Sequence, residues 1–113
     1  GGDGFMLSPI YCPGAIEEFV DMVVPDQIID RTRSNRPISF FGGGIVAHVG
    51  FADPFCSDLS ERLLNTGTAL GKKMHAGGTY ISMEGPLYST RAESHIYRSW
   101  GASIIGMTAI PEA

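Results

Sequence analysis

The sequence predicts an α/β domain, and three observations predict it. Apolar, β-prone runs alternate with helical patterns in the order strand, helix, strand, helix, strand. Each helical pattern carries its own start and stop signals. The 113 residues, 43% of them hydrophobic, suffice for one domain with a modest core.

The elements follow in chain order. Residues 1–22 are rich in Gly and Pro, with Pro9, Pro13 and Gly14 punctuating short apolar pieces, so they read as loop or weakly specified structure. Val23-Val24 and Ile28-Ile29 flank Pro25-Asp26-Gln27, a pattern of strand, turn or bulge, then a short extended piece running into Asp30-Arg31-Thr32-Arg33. Gly42-Gly43-Gly44 makes a flexible joint. Ile45 to Phe51 (IVAHVGF) predicts a strand buried on both faces, with His48 as its polar exception. Ser57 can cap a helix on which Leu59, Leu63 and Leu70, with Leu64 beside them, form one apolar stripe ending near Gly71. Lys72 and Lys73 then lie near the helix's negative end. Thr79 to Met83 (TYISM) predicts a strand that stops at Gly85-Pro86. Thr90 followed by Glu93 is a capping-box pattern for a second helix, with Ala92, Ile96 and Trp100 on one face and Gly101 as its stop. Ser103 to Met107 (SIIGM) is the last strand, with Thr108 at its carboxyl end.

Composition excludes several function classes. A net charge of -4 with scattered Lys and Arg argues against nucleic acid, whose binders need clustered cations to displace counterions from phosphates. No apolar run approaches the roughly 20 residues that span a bilayer, and Gly1-Gly2-Asp3-Gly4 lacks the features of a secretory signal, so a cytoplasmic protein without a membrane partner is expected. Cys12 and Cys56 suggest two reduced thiols. His48, His75 and His95 lack metal-ligand spacing, so no metal is expected.

Ligands of open α/β sheets sit outside the carboxyl ends of strands, which directs attention to the segments after Met83 and Met107. Glu84-Gly85-Pro86-Leu87-Tyr88-Ser89-Thr90-Arg91 places a tight turn, an aromatic ring, two hydroxyls and a helix amino terminus in one loop, and Met107-Thr108 sets an apolar side chain beside a hydroxyl. These groups suit a flat, partly apolar ligand with an anion near the helix end or the threonine.

Several blocks in order, DQIIDRT (26–32), HVGFADPF (48–55), MEGPLYSTRAES (83–94), WGA (100–102) and GMTAIPE (106–112), resemble methylthioadenosine phosphorylases, the trimeric branch of the purine nucleoside phosphorylase family. The resemblance covers roughly residues 24–113, and the first 20 or so residues do not share it. On that basis the chain divides into a poorly matching segment, 1–22, and a partial nucleoside phosphorylase domain, 23–113. The implied fold is phosphorylase/hydrolase-like, a mixed central sheet flanked by helices, here incomplete.

The chemistry that the resemblance implies is phosphorolysis of S-methyl-5'-thioadenosine in purine and methionine salvage. Inorganic phosphate, a co-substrate and not a cofactor, attacks the anomeric carbon as adenine leaves, which needs positioning and charge stabilisation more than a protein nucleophile. In this scheme Thr108 binds phosphate, Met107 lies under the ribose, and Tyr88 packs against base and sugar. Ser89 stands where phosphorylases for 6-oxopurines place a Glu, and its hydroxyl can donate toward the N1 acceptor of adenine. His48 matches a histidine that in related trimers reaches a neighbouring subunit's pocket near the 5' substituent. Each has a structural alternative: His48 an interface or core histidine, Tyr88 a core aromatic, Ser89 a solvated hydroxyl, Met107 packing. Arg91 reads as an ion-pair partner of Glu93 and not as a phosphate ligand.

The family's phosphate loop, its Arg-His pair and the Asp that handles purine N7 have no match in these residues, so no catalytic residue is assigned and the segment alone is expected to be inactive. A homotrimer is expected of the complete protein. The alternatives are another purine nucleoside phosphorylase and a truncated, noncatalytic purine-binding or assembly domain.

Overall fold

The computed structural model describes residues 8–9 and 21–112, apart from positions 34 and 38. Most of the 1–22 segment, Cys12 included, lies outside the described residues; Cys56 is a free, exposed thiol.

Among the described residues, six strands and two helices follow one another as β1 (Ser8–Pro9), β2 (Met22–Val24), β3 (Gln27–Arg31), α1 (Ser57–Ala69), β4 (Met74–Ala76), β5 (Thr79–Met83), α2 (Arg91–Ser99) and β6 (Ala102–Gly106). The larger sheet has the order β1-β6-β5-β3, with β3, β5 and β6 parallel and β1 antiparallel to β6. This is the mixed α/β sheet the sequence predicts. β2 and β4 form a separate parallel pair.

The two sheets share one register. Met22 lies opposite Met74 and Gln27 opposite Thr79, the same offset of 52 positions. The break falls at Pro25, which has no amide hydrogen to give a ladder, and at Gly77 and Gly78, both with positive φ. Asp26 bridges the gap. Its carboxylate accepts from the Gly78 amide at 3.0 Å, and its own amide donates to the Gly78 carbonyl at 3.2 Å.

Ile81, Tyr97, Ala102 and Ile105 form the core under α2, with Ile29 and Met83 packed against them. β5 and β6, the two inner strands, are the buried ones, and even Ser82 of β5 is fully enclosed. α2 connects two neighbouring parallel strands, the crossover unit expected from its sequence. Its capping box is complete: Thr90 Oγ1 accepts from the Glu93 amide at 3.1 Å, and Glu93 Oε2 accepts from the Thr90 amide at 2.7 Å. Gly101, with φ +83°, follows its last turn.

Other expectations need correction. Residues 45–51 form no strand and every one of them is exposed, because among the described residues no neighbouring strand offers a ladder to this apolar run. Ser57 opens α1 from inside the helix. Cys56 holds the N-cap position, and no side chain caps it. The leucine stripe of α1 faces outward, with Leu59, Leu63 and Leu70 all at least half exposed. The helix is instead buried at Gly67, where a Cβ would sit 2.3 Å from Met74 Sδ of β4. On α2 the buried residue is Tyr97, while Ile96 and Trp100 are about half exposed. Trp100 leans on Tyr97 and lies under the Arg31 guanidinium, each at 5.8 Å. Among the described residues no ion pair joins Arg91 to Glu93, whose carboxylate serves the helix cap. Lys73 pairs with Asp21 at 3.4 Å. The last strand begins and ends one residue earlier than expected, which leaves Met107 just beyond its carboxyl end.

Candidate functional site

β3, β5 and β6 run parallel, so their carboxyl ends open on one side, and a single guanidinium joins all three. Arg36, five positions past β3, donates from Nε to Glu84 Oε1 at 3.3 Å, immediately after β5. Its Nη2 donates to the Met107 carbonyl at 2.6 Å and its Nη1 to the Ile110 carbonyl, both after β6. The Arg33 amide donates to Glu84 Oε2 at 2.9 Å, so both carboxylate oxygens are engaged. The Arg33 amide bond, followed by Arg36, holds the Glu84 carboxyl below the usual range, against the opposing effects of desolvation and of the Asp30 charge. Glu84 therefore stays ionised, and its charge balances Arg36.

The two loops also touch directly. A Cβ on Gly85 would lie 2.5 Å from Met107 Sδ, and its φ of +74° is a conformation that side chains resist. Glycine thus lets the turn after β5 lie against Met107.

The structure places the expected site residues as follows. Met107 is half-buried between Gly85 and the Arg36 bond, and Thr108 beside it is exposed. Tyr88 is exposed at 73%, its ring free of the core. Ser89 is half-buried and its hydroxyl bonds to that of Ser94 on α2 at 2.9 Å. These four residues hang from the ends of two adjacent strands. His48 does not join them. The chain returns to the opposite, amino end of β3, where Gln27 Nε2 donates to the Ala52 carbonyl at 3.1 Å, and His48 lies exposed four residues earlier.

Arg36 and Glu84 are the residues that sequence reasoning missed as partners. Glu84 stood in the expected loop, but Arg36 reaches it across 48 positions and Met107 across 71, and no local pattern marks such a pairing.

A second polar cluster lies at the start of the small sheet. Asp21, nearly enclosed, accepts from His75 Nε2 at 2.8 Å and pairs with Lys73. The His75 bond leads in holding its carboxyl below the ordinary range. Its ties join the segment entering β2 to β4, a structural role. Among the described residues no group of three or more His, Cys, Asp and Glu side chains could hold a metal ion, and no helix is long and apolar enough to cross a membrane.

Residues 17–113 match the family model described as the phosphorylase superfamily. The chain is 60% identical over 92 residues to the S-methyl-5'-thioadenosine phosphorylase of Geobacter sulfurreducens, a match covering 81% of this chain and 32% of that protein. It is 54% identical over 115 residues to the protein of the same name from Prochlorococcus marinus, covering 96% and 36%. A methylthioadenosine phosphorylase from an antarctic soil metagenomic library has a similar structure, with a TM-score of 0.78 and 49% identity over 82% of this chain and 33% of that one. The Schistosoma mansoni methylthioadenosine phosphorylase, in complex with adenine, gives 0.83 at 26% identity over 94% and 44%. The chain spans about a third of the length of the curated relatives it matches.

Proposed function

The chain belongs to the phosphorylase superfamily, and from that premise we propose that the complete protein phosphorolyses S-methyl-5'-thioadenosine to adenine and 5-methylthioribose 1-phosphate. The observation that carries this reading is the junction of the Tyr88-Ser89 loop and the Met107-Thr108 turn at adjacent strand ends, in a chain 60% identical over 92 residues to a protein of that name. Inorganic phosphate is the co-substrate, and no cofactor takes part.

The roles follow from the chemistry of the groups. The Thr108 hydroxyl, exposed at the end of β6, donates to phosphate and orients it toward the anomeric carbon. Met107, packed on Gly85, supports the ribose with an apolar surface. The Tyr88 ring, uncommitted to the core, packs on base and sugar. Ser89 donates toward N1 of a 6-aminopurine, directly or through water, while Ser94 fixes its position. Charge that develops on the sugar and the leaving base meets groups already in place, which lowers the barrier without a covalent intermediate.

The complete protein works in the cytoplasm, in purine and methionine salvage, as a homotrimer in which His48 serves a neighbouring subunit's pocket. Two observations support the last role: the exposed apolar run around His48, and the anchoring of Ala52 at the end of β3 away from the other candidate residues. Nucleic acid and membrane are not among its partners.

The decisive experiment incubates the complete protein with S-methyl-5'-thioadenosine, with and without phosphate, and follows free adenine. Release only when phosphate is present is expected. Equal release in its absence would mean a hydrolytic nucleosidase and overturn the assignment.

A further inference from the structure

The segment that bears Thr108 lies past the last strand, in bends at 107–109 and a turn at 110–112. Residues 107–110 lie beyond β6, and among the described residues no backbone–backbone hydrogen bond outside the helices and strands involves them. Arg36 ties them to the rest of the fold, taking the carbonyls of Met107 and Ile110, the first and last of these residues. Arg36 is in turn fixed by Glu84, which directly follows the buried strand β5, and the pair is largely buried, at 19% side-chain exposure each.

We propose that Arg36, locked by Glu84, is a positioning residue that sets the 107–110 turn so that Thr108 meets inorganic phosphate, a role that rests on Thr108 being the phosphate ligand. The guanidinium is planar and forked, so it can serve a carboxylate and two carbonyls at once in one fixed geometry. Its charge is balanced by Glu84, so what it supplies to an approaching anion is placement of the turn and not a net positive field. The Met107 and Ile110 carbonyl oxygens are drawn onto the guanidinium, and Thr108 between them is left exposed. An anion arriving at Thr108 therefore meets a hydroxyl donor whose flanking carbonyl lone pairs are already occupied.

The test uses the complete protein with Arg36→Lys and Arg36→Ala. Lysine keeps the charge, but its donors converge on one nitrogen and cannot span partners that the fork reaches from three separate nitrogens. Rates are measured with phosphate varied at saturating nucleoside, and with nucleoside varied at saturating phosphate. A rise of roughly tenfold or more in the phosphate KM, with the nucleoside KM within about twofold, is expected of both variants. If Arg36→Ala does not fold, Arg36→Lys decides. An unmoved phosphate KM in folded Arg36→Lys overturns the role, and so does an equal rise in both constants, which marks a general structural effect. The unmodified protein run alongside separates the two levels. Phosphate-independent adenine release fails the functional reading itself, whereas phosphate-dependent release with an unmoved phosphate KM fails the positioning role alone.

Discussion

Glu84 gains its lowered pKa from bonds that exist only in the fold, chiefly the one from the Arg33 amide and then the one from Arg36. A carboxyl whose folded pKa lies below its unfolded value adds stability that is fully present above the unfolded value and is lost as pH falls through the folded one. For Glu84 that loss begins below about pH 4.3, the ordinary glutamate value. Glu84→Gln removes the titrating group. The gap in Tm between the unmodified protein and this variant should be widest near neutrality and should close in acid, as calorimetry across that range would show. A gap independent of pH would mean that the carboxylate's charge is not what the site uses. At this scale the legibility of the sequence depended on distance along the chain. Thr90 and Glu93, three positions apart, declared their capping box in advance. Arg36 declared nothing, since its partners lie in the segments after two later strands and two of them are main-chain carbonyls.

Elements show the same division between local and distant causes. β5 was legible to the residue, because a β-prone run ending at Gly85-Pro86 carries both its propensity and its stop. The run at 45–51 has equal propensity and forms no strand, because a strand needs a ladder and the sequence does not say whether one is supplied. β4 is the converse case. The short MHA piece went unread as a strand, yet it continues the register that β5 keeps with β3, which only pairing reveals. On α1 the leucines marked a helix correctly and its buried side wrongly, since Gly67 admits Met74 more closely than any leucine could. Close approach of the same kind links β5 to β6. A Cβ on Gly106 would sit 1.9 Å from the hydroxyl oxygen of Tyr80, a ring that is 4% exposed and has no room to swing aside. Gly106→Ala should therefore destabilise the complete protein by about 1–3 kcal/mol, the usual cost of overpacking. Urea unfolding measures this, and an unchanged midpoint would mean that the Tyr80 ring does not lie across Gly106.

For the whole molecule, the notable quantity is the apolar surface left uncovered. Phe40, Ile45, Val46, Val49 and Phe51 are all more than half exposed, on a segment running from the carboxyl end of β3 back to its amino end. Isolated exposed apolar residues are ordinary, but five such residues on one short segment mark a surface that something covers. In the proposed homotrimer the neighbouring subunit covers it. Val46→Asp together with Val49→Asp should then shift the complete protein from trimer to monomer in sedimentation velocity. A trimer that persists with lowered stability would show instead that the rest of the same polypeptide lies there. The fold class and the loops after β5 and β6 were legible in the sequence, since both depend on strand–helix alternation. The coupling of those loops was not, because it runs through one side chain that bridges the ends of three strands. That bridge also has a consequence for sequence drift. Arg36 grips the peptide oxygens at 107 and 110, which every amino acid possesses, so substitutions there can accumulate without loosening it. Positions 36 and 84, where the tie is made by side chains, must change together or not at all.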